Sequence, residues 1–404
     1  MSHSGTTLIL IMTIAVLAPL LAYGAGRWLP VPLVIFEILL GIVVGPDVLD
    51  WAKPSALIDG LSQLGLTMLI FLAGYEIEFG KVRGDTLKRS GWAWAAALVL
   101  GLGAGVLLGG GYEKGVFIGV ALTSTALGTV LPVLRDAGDL HGRFGSVVMA
   151  FGAVGEFGPI IAMALLLSGR NPAQSTALLA AFAALTAGAV YWALRPRRPW
   201  FSRIIARTLH TSGQFAVRFV FLLLALMLGA STALGLDVLL GAFAAGLITR
   251  LVLTGAAPES GELILEKVEA VGFGFLVPVF FVVTGIEFDL DSLLAGGRTL
   301  LLLPLFLALF LVVRGAPVWF LAPRDLGRRD RGALVLYGST ALPLVVAITT
   351  IGVDDEALTA GEAAALVGAG MVSVLVFPLL ALKLRARAGE KALPAERVTG
   401  SESW

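Results

Sequence analysis

No cysteine occurs anywhere in the 404 residues. That excludes disulfides, thiolate metal sites and cysteine nucleophiles. Histidine is almost as scarce. His3, His141 and His210 lie near the ends of apolar segments and show no ligand spacing. Charged residues make up only 14% of the chain, against roughly 25% in an ordinary soluble domain. The net charge of +1 carries little information, because here the placement of charge matters more than its sum. No phosphate loop, zinc motif or nucleophile elbow is present. An enzyme, a cofactor and a nucleic-acid partner are therefore not expected.

What fills the chain is apolar. Hydrophobic residues reach 57%, and the mean hydropathy is +0.92. A transmembrane helix needs about 20 mostly apolar residues. Thirteen segments qualify, at 6–26, 31–45, 57–78, 88–109, 114–134, 144–168, 175–194, 213–234, 236–253, 265–286, 299–321, 331–352 and 362–383. The first has no basic residue before it and no A-x-A cleavage site, so it reads as a retained helix and not a signal peptide. The sequence thus predicts an all-α polytopic membrane protein with 13 transmembrane helices. Between the seventh and eighth segments, RPRRPWFSRIIARTLHTSG reads as a basic amphipathic connection on the membrane surface. The tail from Arg385 to Trp404 is short and polar, with no soluble domain expected after the last segment.

Lys and Arg in the connections set the orientation. Of the 29, 23 fall on the side that holds the C-terminus and four on the other: Lys53, Lys114, Arg170 and Arg298. Arg218 and Arg314 lie inside segments; Arg218 is near an end, from which it can snorkel to the inner surface. A missed helix would scramble this split. The expected placement is a cell (inner) membrane protein with its N-terminus outside and its C-terminus in the cytoplasm.

An internal repeat is visible. LLGIVVG at 39–45 matches LLGAFAAG at 239–246, FLAGYEIEF at 71–79 matches FVVTGIEFDL at 281–290, and TSTAL at 123–127 matches GSTAL at 338–342. The matches relate segments two, three and five to nine, ten and twelve. The offset of seven is odd, so two five-helix units of opposite orientation are predicted. Inverted repeats are a recurring build for secondary transporters, with the site near the midplane at their interface.

The candidate site lies in GVFIGVALTSTALGTVLPVLRDAGDLHGRFGSVVMAFGAVGEFGPIIAMALLL, residues 115–167. Thr123, Ser124 and Thr125 interrupt the fifth segment midway, and Ser339 and Thr340, followed by Pro343, interrupt the twelfth. Such hydroxyls can simply bond back to the preceding turn and bend a helix. The matched pair favours two crossed, discontinuous helices. Breaks of that kind free backbone carbonyls, which a membrane tolerates only around a cavity or a protein-buried site. Glu156 lies near the middle of the sixth segment, and an ionisable group at that depth marks an ion or proton path. Arg314, deep in the eleventh segment, is the natural countercharge, and a guanidinium stays protonated. Glu37 is a possible secondary acid with a structural role favoured. Glu76 and Glu78 close the third segment beside Lys81 and Arg83 and read as solvated or paired. Asp237, Glu287, Asp289 and Asp291 sit at outer ends, where they can attract cations to the mouth. Gly101, Gly105 and Gly109 have the spacing of close helix packing.

FEILLGIVVGPDVL, LGLTMLIFLAGYEIEF, GVALTSTALGTVLPVLRDAG, LGLDVLLGAFAAGLI and LVPVFFVVTGIEFDL, in that order, resemble the monovalent cation:proton antiporters, in the branch of bacterial sodium/proton and potassium/proton exchangers. The resemblance covers residues 6–384. It implies an elevator-like core moving against a dimerisation scaffold in a homodimer. Mapped onto this chain, 1–85 and 201–297 form the scaffold, 86–170 and 298–384 the core, 171–200 the linker helix and 385–404 a cytoplasmic tail. The family usually carries an acidic or Asn-Asp pair after the first break, where this chain has Gly155-Glu156. One acid with an arginine opposite resembles the electroneutral design. The expected activity is exchange of a proton for sodium or potassium, with Glu156 holding either the proton or the metal cation and Thr123, Ser124 and Thr125 offering oxygens, which suit hard cations. An organic-anion symporter of related fold and a non-transporting sensor or assembly protein are the alternatives.

Overall fold

The computed structural model describes residues 3–26, 32–53, 55–76, 84–140, 142–167, 172–194, 204, 207–208, 214–256, 261–294 and 297–389. Among them every regular element is helical. The basic connection at 195–213 falls almost wholly outside the described residues, as do Glu78, Lys81, Arg83, His141, His210 and the tail beyond 389.

The first four helices are α1 (His3–Gly26), α2 (Leu33–Val44), α3 (Ala56–Glu76) and α4 (Asp85–Gly109). The fifth predicted segment is two short helices, α5 (Tyr112–Ala121) and α6 (Leu127–Asp136), with residues 122–126 between them. Then come α7 (Arg143–Leu166), α8 (Pro172–Leu194), α9 (Phe215–Ala233) and α10 (Val238–Ala256). Helix α11 runs from Gly261–Val271 through a π-helical turn, Gly272–Leu276, into Val277–Ile286. The short α12 (Leu290–Leu294) precedes α13, which is Gly297–Leu309, a π-helical turn Phe310–Gly315 and Ala316–Leu321. The twelfth predicted segment is also split, into α14 (Arg328–Gly338) and α15 (Pro343–Asp354), and α16 (Ala360–Gly389) ends the described chain.

Among the described residues, ten helical stretches are long and apolar enough to cross a membrane, counting α14 with α15 as one, and α2 and α10 are shorter apolar helices. Apolar runs this long fold as helices because a helix satisfies every backbone group internally. Large apolar side chains such as Leu107 and Phe320 lie exposed on the outer surface, as lipid contact requires.

Packing divides into recognisable clusters. Residues of α4, α6, α7, α13, α14 and α16 share one, including Ala93, Leu134, Phe151, Val318, Tyr337 and Ala381. Residues of α1, α2, α3 and α11 share another, including Ile11, Val44, Ile58 and Val282. A third and larger cluster runs between them. Helices α4 and α5 approach so closely that a β-carbon on Gly101 would lie 2.6 Å from the Gly119 carbonyl, the close packing expected of that glycine spacing. Ion pairs fasten both ends of α16. Lys114 Nζ lies 2.9 Å from Glu362, while Arg385 lies 2.7 Å from Asp139 and 3.3 Å from Asp330 and stacks 3.7 Å over the Phe144 ring.

Candidate functional site

The two interruptions meet. Thr125 Oγ1 donates to the Gly338 carbonyl at 2.6 Å, and the Ala126 N–H donates to the Thr340 carbonyl at 2.7 Å. Backbone groups that a continuous helix would have satisfied within itself are here satisfied by the other broken helix. Helix α7 joins the same knot, since Thr125 N–H donates to the Gly155 carbonyl at 2.9 Å.

The hydroxyls divide by what they bond. Thr123 donates to the Val120 carbonyl and Ser124 to the Ala121 carbonyl, both at 2.8 Å and both within the preceding turn. Thr340 likewise donates back to Leu336 at 3.0 Å. These three do what serine and threonine commonly do near a helix end, and their oxygens keep lone pairs. Thr125 reaches across to the other break. Ser339 Oγ is buried and has no hydrogen-bond partner. All five residues are buried.

Glu156 is 2% exposed, in the middle of α7. Its carboxylate lies against the backbone N–H of Leu127, the first residue of α6, so the positive end of that half-helix dipole faces it. Its Oε2 has no hydrogen-bond partner, and no ion pair reaches it among the described residues. The neighbouring Phe157 ring stacks on Phe243 of α10 at 4.5 Å.

Arg314 is fully buried in the π-helical turn of α13. Its Nε donates to Thr125 Oγ1 at 3.0 Å and its Nη2 to the Phe151 carbonyl at 2.7 Å, while Nη1 has no partner. It forms no direct ion pair with Glu156. The reason is geometric. A β-carbon on residue 155 would collide with Arg314 Nη2 and Thr125 Oγ1, so the guanidinium occupies the space a side chain at 155 would take. Gly155 therefore does more than omit an acid. It leaves room for the cation.

Glu37 is 3% exposed in α2 and makes no hydrogen bond or ion pair among the described residues. Nothing links it to Glu156. The acid that does come within electrostatic reach of Glu156 is Glu76, the last residue of α3, whose Oε2 is buried and has no hydrogen-bond partner among the described residues. Arg135, Arg250 and Glu269 surround Glu76 in turn. In the sequence Glu76 reads as solvated or paired, and its correspondence to Glu287 in the repeat is the signal that sets it apart. Ser373 of α16 was missed as well. Its hydroxyl accepts from the Ala341 N–H at 3.0 Å and lies 3.0 Å and 2.7 Å from the carbonyls of Ala341 and Gly370. A lone serine in an otherwise apolar segment was the only clue.

A buried carboxylate with no ion pair among the described residues thus lies beside two joined helix breaks in an all-helical membrane chain. The transmembrane profile of the sodium/hydrogen exchanger family matches residues 12–382, and this chain belongs to that family. Among relatives, YjbQ of Bacillus subtilis (strain 168) is 25% identical over 407 residues, covering 96% of this chain and 64% of YjbQ. The Na(+)/H(+)-K(+) antiporter GerN of Bacillus cereus is 25% identical over 272 residues, covering 65% of this chain and 67% of GerN. Cation/H(+) antiporter 18 of Arabidopsis thaliana is 29% identical over 310 residues, covering 70% of this chain and 37% of the plant protein. The chain thus spans less than two thirds of YjbQ and about a third of the plant relative. In fold it is similar to the sodium proton antiporter MjNhaP1 from Methanocaldococcus jannaschii, with TM-score 0.67, 17% identity, and coverage of 96% of this chain and 98% of that one.

Proposed function

We propose that the chain is a secondary antiporter that exchanges protons for sodium or potassium, with Glu156 as the shared site. The observation that carries this reading is the Glu156 carboxylate itself: buried, unpaired, and set against the start of α6. A carboxylate so placed is stable holding a proton or a cation and costly when bare. The two ligands therefore exclude each other, and their competition couples the fluxes. The transported cation is completed by oxygens from Thr123, Ser124 and Thr125 and by carbonyls freed at the break, a donor set suited to a hard monovalent ion.

Arg314 is a fixed positive charge that acts through Thr125, not a proton carrier. Because its guanidinium fills the space at Gly155, one acid titrates in the core, which supports electroneutral one-for-one exchange. Ser339 and Thr340 contribute backbone at the second break, and Glu37 is a structural acid. All thirteen predicted segments cross a cell (inner) membrane, α5 with α6 and α14 with α15 each counting as one crossed, discontinuous span, with the N-terminus outside and the C-terminus cytoplasmic. The shared packing of α4, α6, α7, α13, α14 and α16 supports a core that moves as one body against a scaffold of α1–α3 and α9–α11, which also forms the homodimer.

The test is Glu156→Gln in proteoliposomes with an internal pH dye. The variant keeps the size and loses the titration. It is expected to insert normally and lose proton-coupled cation flux by about a hundredfold or more, as for a group made essential by its charge. In the wild type, raising proton concentration should raise the cation concentration for half-maximal exchange, and a potassium/valinomycin clamp should leave the rate unchanged. Full exchange by Glu156→Gln removes the assigned site. A clamp-dependent rate removes the one-for-one stoichiometry.

A further inference from the structure

Two acids occupy corresponding places in the internal repeat. Gly74-Tyr75-Glu76 ends α3, and Gly285-Ile286-Glu287 ends α11. The glycine before each acid is pressed against a carbonyl of a neighbouring helix, Gly74 against Phe243 of α10 and Gly285 against Ile38 of α2. These contacts leave no room for a β-carbon, so both helix ends are held closely against their neighbours. Glu76 is the acid within electrostatic reach of Glu156.

Glu287 stands at a cavity of about 260 Å³. The cavity lies between the end of α11 and the helices α15 and α16, with Thr284, Glu287 and Phe288 on one wall and Thr349, Asp354 and Val367 on the other. Its acids differ in commitment. Asp289 receives the Ser292 N–H and hydroxyl at 2.7 Å and 2.6 Å. Glu362, near the cavity in α16, is paired with Lys114. Among the described residues the Glu287 side chain makes no hydrogen bond or ion pair. Among the described residues no lysine or arginine lines this cavity. Burial, with added repulsion from Asp59 and Asp354, raises the Glu287 carboxyl to about 6.

We propose that Glu287 is the outer counterpart of Glu76, the carboxylate that receives the transported cation at the Glu156 site when that site opens to the outside. The assignment rests on the alternating-access reading given above. It adds a named acid at the outer entrance. Each half of the cycle then has its own entrance acid on the scaffold, Glu76 within and Glu287 without, while Glu156 travels between them.

Sidedness provides the test. Cation half-saturation is measured from each face in right-side-out and inside-out vesicles containing the whole chain. Glu287→Gln is expected to raise the outer half-saturating concentration about threefold or more, the effect of removing one focusing charge from a mouth. The inner value should stay at the wild-type level. Glu76→Gln should show the reverse asymmetry, and Glu287→Asp, which keeps the charge, should remain close to wild type on both faces. The absence of cysteine allows a second readout. Thr350→Cys, lining the same cavity, should react with a membrane-impermeant thiol reagent from outside, and transported cation should protect it less once Glu287 is Gln. Equal changes on both faces, or none, in a protein that still exchanges ions and still depends on Glu156 would overturn the assignment while leaving the antiport reading intact. Exchange that survives Glu156→Gln would overturn both.

Discussion

At the interruption between α5 and α6, a carboxylate faces the freed backbone and a guanidinium holds a threonine hydroxyl. At the interruption between α14 and α15, a serine hydroxyl does that work. Both breaks begin from nearly the same sequence, TSTAL and GSTAL, and both leave backbone groups that a helix would otherwise satisfy. At the first, Leu127 N–H points at Glu156 and Arg314 holds Thr125. At the second, Ala341 N–H is taken by Ser373, a neutral group with no charge to exchange. A helix break is therefore only an opportunity for an ion site. On the proposed reading, what the packed neighbour brings to it decides whether it becomes one.

The comparison breaks most severely at Arg314. Arg314→Ala removes a fully buried side chain, leaves the Phe151 carbonyl without its partner and leaves Thr125 with one bond fewer. The expected loss is about 3 kcal/mol of stability or more, combining a large void with unpaired polar groups. Arg314→Lys should keep the charge and recover part of the stability while losing the two-point grip. The measurement is detergent-solution melting together with transport. Arg314→Ala with wild-type melting and altered ion preference would move Arg314 from a positioning role to a selectivity role.

This pairing shows what the sequence could and could not reveal. The apolar runs, both interruptions and the depth of Glu156 were legible, because each is a local property of one segment. The partner of Arg314 was not. It depends on the π-helical turn at Phe310–Gly315, which rotates the side chain relative to a regular helix, and no residue in FLVVRG announces such a turn. The emptiness of position 155 was visible as a departure from the family pattern. That a guanidinium from another helix fills the gap was visible only once α13 and α7 were packed together. Ser373 and Glu76 escaped for the same reason, since each acts on a residue far away in sequence.

A smaller effect sharpens the contrast between the two breaks. Thr125→Val keeps the shape and removes the oxygen that joins Arg314 to the Gly338 carbonyl. Ser373→Ala removes the partner of Ala341 N–H. Each leaves a buried polar group unsatisfied, at a cost of about 1–3 kcal/mol. Their functional effects should differ. Thr125→Val should raise the half-saturating cation concentration, because Thr125 belongs to the break beside Glu156. Ser373→Ala should lower stability and maximal rate with half-saturation unchanged. Parallel melting curves and cation titrations of the two variants check this, and a shift in half-saturation for Ser373→Ala would erase the functional difference between the breaks.

The smallest expected effect is at Ser339, and it is the most informative about the second break. Ser339 Oγ is buried without a hydrogen-bond partner among the described residues, whereas its counterpart Ser124 and the neighbouring Thr123 and Thr125 all donate. An unsatisfied hydroxyl in the interior is a cost, so replacing it with a methyl group should be neutral or stabilising by up to about 1 kcal/mol. Gly315 of α13 faces Ser339 closely enough that a β-carbon there would lie 3.1 Å from Oγ, so the pocket is already tight and Ser339→Ala leaves little void. If the second break only supports the first, Ser339→Ala should melt at or slightly above the wild-type temperature and exchange ions with unchanged half-saturation. A higher half-saturating cation concentration at undiminished stability would mean that the unpartnered oxygen is held in reserve for the ion. The site would then span both breaks, with Ser339 as its ligand opposite Glu156.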